Sequence, residues 1–223
     1  ILVPFALESA LSGVGKTLEP DQFLWYTRKI NCVKMRGERI LLHFGAVDFR
    51  TMVFIGHREV TDVPHEGGQN PFTLDITDYV EDGDNDLTVC VWDPTEDFVN
   101  SRGKQSFKPR GCFYTRVSGI WQTVWMERVP EKYIRGYKVV TDIDNSTVKF
   151  DFDLVGEGDV EVKVYEVSQS GESGESGEVV VKIPNAKLWS PEEPNLYHFK
   201  ATYGKDVVTG YFGMRKFEKR KDA

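Results

Sequence analysis

Cysteine is scarce and unpaired in this sequence: Cys32, Cys90 and Cys112 are its three, with no Cys-x-x-Cys spacing among them. That excludes a disulfide framework and a zinc knuckle and leaves free, buried thiols, which behave as small hydrophobes. Long apolar runs are missing too. Nothing approaches the roughly 20 consecutive apolar residues that cross a bilayer. The opening Ile1-Leu2-Val3-Pro4-Phe5-Ala6-Leu7 is short and lacks the basic leader of a secretion signal. With no initiator Met, the sequence reads as a piece of a longer polypeptide. Positive charge is in deficit, 28 Lys and Arg against 35 Asp and Glu, for a net charge of −7. A field of that sign repels phosphate backbones and anionic lipid, so nucleic acid and membrane surfaces are poor partners and neutral ligands fit better. The compartment stays open between periplasm or exterior and cytoplasm of a bacterial-type soluble protein.

Several chemical signatures are also missing. No Gly-rich phosphate loop and no Gly-x-Ser-x-Gly elbow occurs, and no cofactor is expected. His43, His57, His65 and His198 show neither i, i+4 pairing nor Cys partners, so metal and triad readings have no support. Asp82, Asp84 and Asp86 alternate ahead of Asp93 in superficial likeness to a calcium loop. Leu87, however, stands where such a loop needs Gly at its sixth position, and an acidic turn is the plainer reading. No sustained 3.6-residue apolar period marks a helix.

What is present is a β pattern. The 223 residues, 40% hydrophobic and 13% aromatic, suffice for real cores in one large or two small domains. Trp25 to Ile30 and Arg39 to Phe44 read as strands, the second with Ile40, Leu42 and Phe44 on one face and His43 on the other. Thr51 to Ile55 runs into Gly56-His57, a pair suited to a type II′ hairpin, and Arg58-Glu59-Val60 returns. In Leu74 to Val80, Thr77 is placed to cap a single helical turn, and Gly83 to Asp86 reads as a turn into the strand Leu87 to Trp92. That strand is apolar on both faces, as a central strand covered on both sides should be. From Asp93 to Phe113 the pattern collapses into a polar segment of about 20 residues, a length that usually means function or covering. Ser118-Gly119-Ile120-Trp121-Gln122-Thr123-Val124-Trp125 then reads as a strand with Trp121, Thr123 and Trp125 on one face and Ile120, Val124 and Met126 on the other.

A domain boundary is expected after Val129, giving 1–129 and 130–217, with 218–223 the start of a linker. Val148, Phe150, Phe152 and Leu154 alternate with charges, the mark of an antiparallel sheet with one wet face, and Val160 to Tyr165 repeats the pattern. Three copies of Ser-Gly-Glu from Ser170 to Glu178 predict a mobile hairpin tip without function. With Val179 to Ile183, His198 to Tyr203 and Val207 to Phe212 the count reaches about seven strands over roughly 85 residues, an immunoglobulin-like sandwich lacking the Cys-Trp-Cys core of antibody domains.

The order of several motifs adds a resemblance. Val3-Pro4-Phe5 with Glu8 to Gly13, then Phe44 to Thr51, Gly67-Gly68-Gln69-Asn70-Pro71-Phe72 and Ser118 to Trp125, followed by Leu188-Trp189-Ser190-Pro191 with Pro194-Asn195-Leu196-Tyr197 and Tyr211 to Lys216, resemble glycoside hydrolase family two. That family includes β-galactosidases and β-glucuronidases. The likeness covers essentially the whole chain. It implies an all-β fold, a jelly-roll (galactose-binding-like) β-sandwich followed by an immunoglobulin-like β-sandwich. Members usually carry at least one strand before this opening, so the jelly roll is expected to lack its first strand. The family's two catalytic glutamates sit in a β/α barrel that follows these domains and works by retention. This sequence has no Asn-Glu dipeptide of the kind that carries the acid/base residue, nor room for eight βα units. The resemblance therefore implies non-catalytic domains, inactive alone, that support a barrel of β-galactosidase type and shape its entrance. Carbohydrate and the barrel are the implied partners, with oligomerisation of the parent enzyme left open.

Related enzymes often let a jelly-roll loop reach the barrel mouth, with a carboxylate just before the Ser-Gly pair touching the sugar; the corresponding position here is Phe113, which accepts no hydrogen bond. Arg102, Lys104, Gln105 and Arg110 lie in the same segment and are candidates for contact with sugar hydroxyls or a neighbouring domain, against the plainer reading of a solvated basic loop. Trp121 and Trp125 are candidates for a sugar-stacking platform, against buried packing. Two rival readings remain: a free-standing carbohydrate-binding module and a structural adhesion-type pair of β domains.

Overall fold

The computed structural model describes residues 1–167, 169–172 and 177–219, and the chain divides into two compact units, Ile1–Arg128 and Val129–Ala223. The only helical element among the described residues is one turn of 3-10 helix at Ala10–Ser12, capped by the Ser9 side chain.

The first unit holds β1 (Leu24–Cys32), β2 (Glu38–Phe44), β3 (Val47–Asp48), β4 (Arg50–Ile55), β5 (Arg58–Glu59), β6 (His65–Glu66), β7 (Phe72–Asp75), β8 (Gly83–Trp92), β9 (Gln105–Ser106), β10 (Tyr114–Thr115), β11 (Gly119–Ile120) and β12 (Val124–Pro130). One sheet runs β1-β8-β4-β5, with β6 also on β4, and the other runs β12-β2-β7. Their inner faces meet in a core of Ile40, Leu42 and Phe44 from β2, Val53 and Ile55 from β4 and Leu87, Val89 and Val91 from β8. The apolar character of β8 on both faces has its reason here: it is flanked by β1 and β4, and Cys90, on the face away from that core, is also fully buried. The Gly56-His57 hairpin forms, with Ile55 paired to Arg58 and Gly56 at φ +57°.

Three local expectations change. Gly83 to Asp86 is not a turn but the first part of β8, because Cys32, Asn31, Ile30 and Lys29 of β1 pair with it. The turn at residues 76–80 forms, but its cap is Asp75: the Asp75 carboxylate accepts from the Thr77 backbone N–H and hydroxyl, while Thr77 Oγ1 accepts from Ile40 N–H in β2. The tryptophan run is not one strand, for residues 121–123 break it between β11, which pairs with β3, and β12, which pairs with β2.

β1 and β12 are the outer strands at one side of the two sheets, and between them lies a cleft of about 870 Å³. Core residues Leu42, Phe44, Leu87, Val89 and Ile120 line it, with Trp25 and Trp125 also in its lining.

The second unit holds β13 (Tyr133–Asp142), β14 (Thr147–Val155), β15 (Glu161–Val164), β16 (Gln169–Glu172), β17 (Glu178–Lys182), β18 (Tyr197–Tyr203) and β19 (Asp206–Phe212). They form a three-stranded sheet β13-β14-β17 and a four-stranded sheet β16-β15-β18-β19, all antiparallel. Val148, Phe150 and Phe152 point inward as their alternation requires, and Phe150 packs with ring centroids 4.8 Å from Phe199 and 5.9 Å from Phe212. Of the Ser-Gly-Glu repeats, the first copy belongs to β16 and Glu178 opens β17, which is strand rather than tip; residues 173–176 lie outside the described residues.

Candidate functional site

The segment that leaves β8 at Asp93 and returns at Ser118 departs from the sandwich sheets, and its base is fastened by buried acids. Asp93 is buried at the end of β8. Its Oδ1 accepts from the Thr95 N–H at 2.8 Å and its Oδ2 from the Ser118 hydroxyl at 2.7 Å, so one carboxylate ties both ends of the segment. Glu8, in the N-terminal segment, accepts from the Ser118 N–H at 3.0 Å. Asp48, at the end of β3 and only 4% exposed, accepts from Gln105 Nε2 at 2.9 Å, and Gln105 Oε1 in turn accepts from the Val117 N–H at 2.6 Å. Three carboxylates from three parts of the chain thus hold one irregular segment.

Two glycines make this junction possible. A Cβ on Gly68 would lie 2.2 Å from Asp48 Oδ1, and one on Gly119, at φ +81°, would lie 2.1 Å from the Tyr26 hydroxyl oxygen, which accepts from Ile120 N–H at 3.1 Å. Trp121 closes the same region by donating Nε1–H to the Gly68 carbonyl at 2.7 Å. Burial dominates the electrostatics. It raises Glu8 and Asp93 above the ordinary carboxylate range and pushes Asp48 up to about 7, the charges of Asp93 and Glu8 adding to the effect on Asp48. Burial likewise pushes the Tyr26 hydroxyl up to about 12. One guanidinium is buried nearby: Arg116 pairs with Glu19 at 2.8 Å and lies 4.8 Å from the Phe107 ring centroid.

Beyond this base the segment presents cations and rings. Phe98 stays against the sheet, T-shaped to Trp92 at 5.5 Å, while Val99 next to it is 96% exposed. The parallel pair of β9 and β10 is steadied by the Tyr114 N–H donating to the Lys104 carbonyl at 3.1 Å. Lys104, Lys108, Arg110, Phe113 and Tyr114 are exposed and Arg102 is half-buried.

The candidate residues therefore separate. Arg102, Lys104 and Arg110 share the outer part of the segment, whereas Gln105 is buried in the junction with its amide bonded to Asp48 and Val117. Trp121 and Trp125 make different contacts: the first is tied into the junction, and the second, on β12, stacks on His43 of β2 at 4.8 Å with 46% of its surface exposed. Asp82, Asp84 and Asp86 serve the β1–β8 edge, accepting from Lys34 N–H, accepting from Asn31 Nδ2 and pairing with Lys29 respectively. No group of three or more His, Cys, Asp and Glu placed to hold a metal ion occurs among the described residues. Sequence reasoning missed Glu8 and Asp48 altogether. The available signal was Asp48 enclosed by Ala46, Val47 and Phe49, a charge in an apolar run that needs a partner from elsewhere.

Comparison with known proteins agrees with this architecture. The profile described as "Glycosyl hydrolases family 2, sugar binding domain" matches residues 14–130, and the one described as "Glycosyl hydrolases family 2" matches 132–215. A β-galactosidase of Clostridium acetobutylicum is 30% identical over 187 residues, 74% of this chain and 19% of that protein. The β-glucuronidase of Canis lupus familiaris is 24% identical over 82% of this chain and 32% of its own. Among solved structures, a Faecalibacterium prausnitzii β-glucuronidase superposes with a TM-score of 0.74 at 25% identity, over 98% of this chain and 41% of that one. The chain thus spans about a fifth to two fifths of the length of these relatives, and it belongs to glycosyl hydrolase family 2, of which it carries the sugar-binding domain and the β-sandwich domain that follows.

Proposed function

We propose that this chain supplies the non-catalytic β domains, 1–129 and 130–217, of a glycoside hydrolase that cleaves β-linked sugars, β-galactosidase-like, and that segment 93–118 is its contribution to the catalytic barrel and the substrate entrance. The carrying observation is the division within that segment: a base fixed by Glu8, Asp48 and Asp93, and an outer part with exposed Lys104, Lys108, Arg110, Phe113 and Tyr114. A rigid base makes an outlying contact specific, because little order has to be gained on docking. Cations gathered on a chain of net charge −7 favour an anionic or hydroxyl-rich counterpart.

The test uses the purified chain with a separately produced family-two barrel. Binding in trans, weakened at least about tenfold by Arg102→Ala with Lys104→Ala, and no hydrolysis of nitrophenyl glycosides by the chain alone, is the expected result. The binding-module reading has its own support, since Trp25 and Trp125 are 58% and 46% exposed beside the cleft. Saturable sugar binding by the isolated chain, lost in Trp125→Ala, would favour it.

A further inference from the structure

Asp48 is a poorly accommodated buried carboxyl group. It is 4% exposed, its Oδ2 accepts one hydrogen bond from neutral Gln105, and its Oδ1, packed against Gly68, has no hydrogen-bond partner. The groups facing the junction are Glu8 from the N-terminal segment, Asp93 from the end of β8, the Tyr26 hydroxyl from β1 and Arg116 from the segment itself. Arg116 acts on Asp93 and is paired with Glu19, which leaves Asp48 facing two carboxylates. A buried carboxylate in such surroundings is relieved by taking a proton or by reaching water.

We propose that the junction is a proton-operated latch: Asp48 carries a proton on Oδ1 in the closed state, and its ionisation favours release of segment 93–118 from the sandwich. A proton on Oδ1 preserves both hydrogen bonds through Gln105, whereas a carboxylate adds a third negative charge to Glu8 and Asp93. The segment is the element that yields, since its own strands are two-residue pairs in a largely exposed stretch, while Tyr26 and Asp93 stand on or beside the long strands β1 and β8 and the short β3 that carries Asp48 is buried. The direction follows from linkage. The closed state holds the proton up to a pH of about 7, and the open state, with Asp48 in water, releases it near 3.9. Opening therefore grows as pH rises between those values and levels off above the upper one. The latch stands on the junction alone; only its effect on barrel or substrate contact rests on the function proposed above.

The experiment is a carbon-13 carboxyl NMR titration of the whole chain, with hydrogen-exchange protection of the Thr95, Gln105 and Val117 amides corrected for intrinsic rates. Asp48 is expected to titrate with a midpoint near 7, and protection of those amides to fall on the order of 50-fold from pH 5 to pH 7.5, while β4 and β8 amides hold. In Asp48→Asn the step should shrink to what Glu8 and Asp93, also raised by burial at the junction, contribute. A midpoint below about 5, or the same step in Asp48→Asn, would overturn the latch. Should that variant not fold, the wild-type titration decides alone. Because no barrel or sugar is present, the result is independent of whether the chain docks on either.

Discussion

Gln105→Leu tests the junction most directly, because the side chain serves two polar groups and Leu fills nearly the same space without serving either. The bond from Val117 N–H to Gln105 Oε1 is a neutral one, and losing it leaves a backbone donor short of a partner, a loss of about 1 kcal/mol. The bond from Nε2 to Asp48 contributes about 1 kcal/mol while that carboxyl is neutral and about 2 kcal/mol once it is charged. The expected loss is thus about 2 kcal/mol at pH 6 and about 3 kcal/mol at pH 8, against a domain stability of about 5–15 kcal/mol. Urea unfolding followed by tryptophan emission reads it well, since Trp25, Trp92, Trp121 and Trp125 lie in the first unit and Trp189 in the second. With a slope of about 1.5–2 kcal/mol per molar, the first-unit midpoint should drop by roughly 1–2 M, more at the higher pH. A drop below about 0.3 M at both values would show that the bonds through Gln105 do not hold the segment, and the reasoning would fall.

Other outcomes follow from the same packing. Gly68→Ala forces a Cβ to 2.2 Å from Oδ1, 2.4 Å from Cγ and 2.8 Å from Oδ2 of Asp48, and should lower the thermal midpoint of the first unit by roughly 5–10 °C. Phe150→Ala, at the centre of the aromatic cluster with Phe199 and Phe212, should cost about 3–5 kcal/mol, read by faster exchange of β14 and β18 amides. Of the three thiols, only Cys112 should react with a disulfide reagent in the folded chain: Cys32 and Cys90 are buried and their thiols raised by that burial, so fast modification of either would contradict the packing of β1 and β8.

How legible these features were varies with the range of the contacts that create them. The second unit could be read almost strand by strand, because Val148, Phe150 and Phe152 alternate and each residue's face is set by its neighbours in sequence. The β8 strand was legible as central for the same reason. Its beginning was not, since Gly83 and Asp84 look like a turn until Cys32 and Asn31 pair with them. The tryptophan run misled in the opposite way: alternation places Trp121 and Trp125 on one face, but Trp121 finds the Gly68 carbonyl and the strand breaks.

The sequence by itself determined the class of this protein: β-sandwiches, an irregular segment from Asp93 to Phe113, and membership of a glycosidase family through ordered motifs. Tertiary structure alone decided what holds that segment. Glu8 meets Ser118 across 110 positions and Asp48 meets Gln105 across 57, so no local spacing encodes either contact. Periodicity reports which side of a strand is dry, but the partner of a buried carboxylate is whatever the fold carries to it, and only the folded chain shows three such acids sharing one junction.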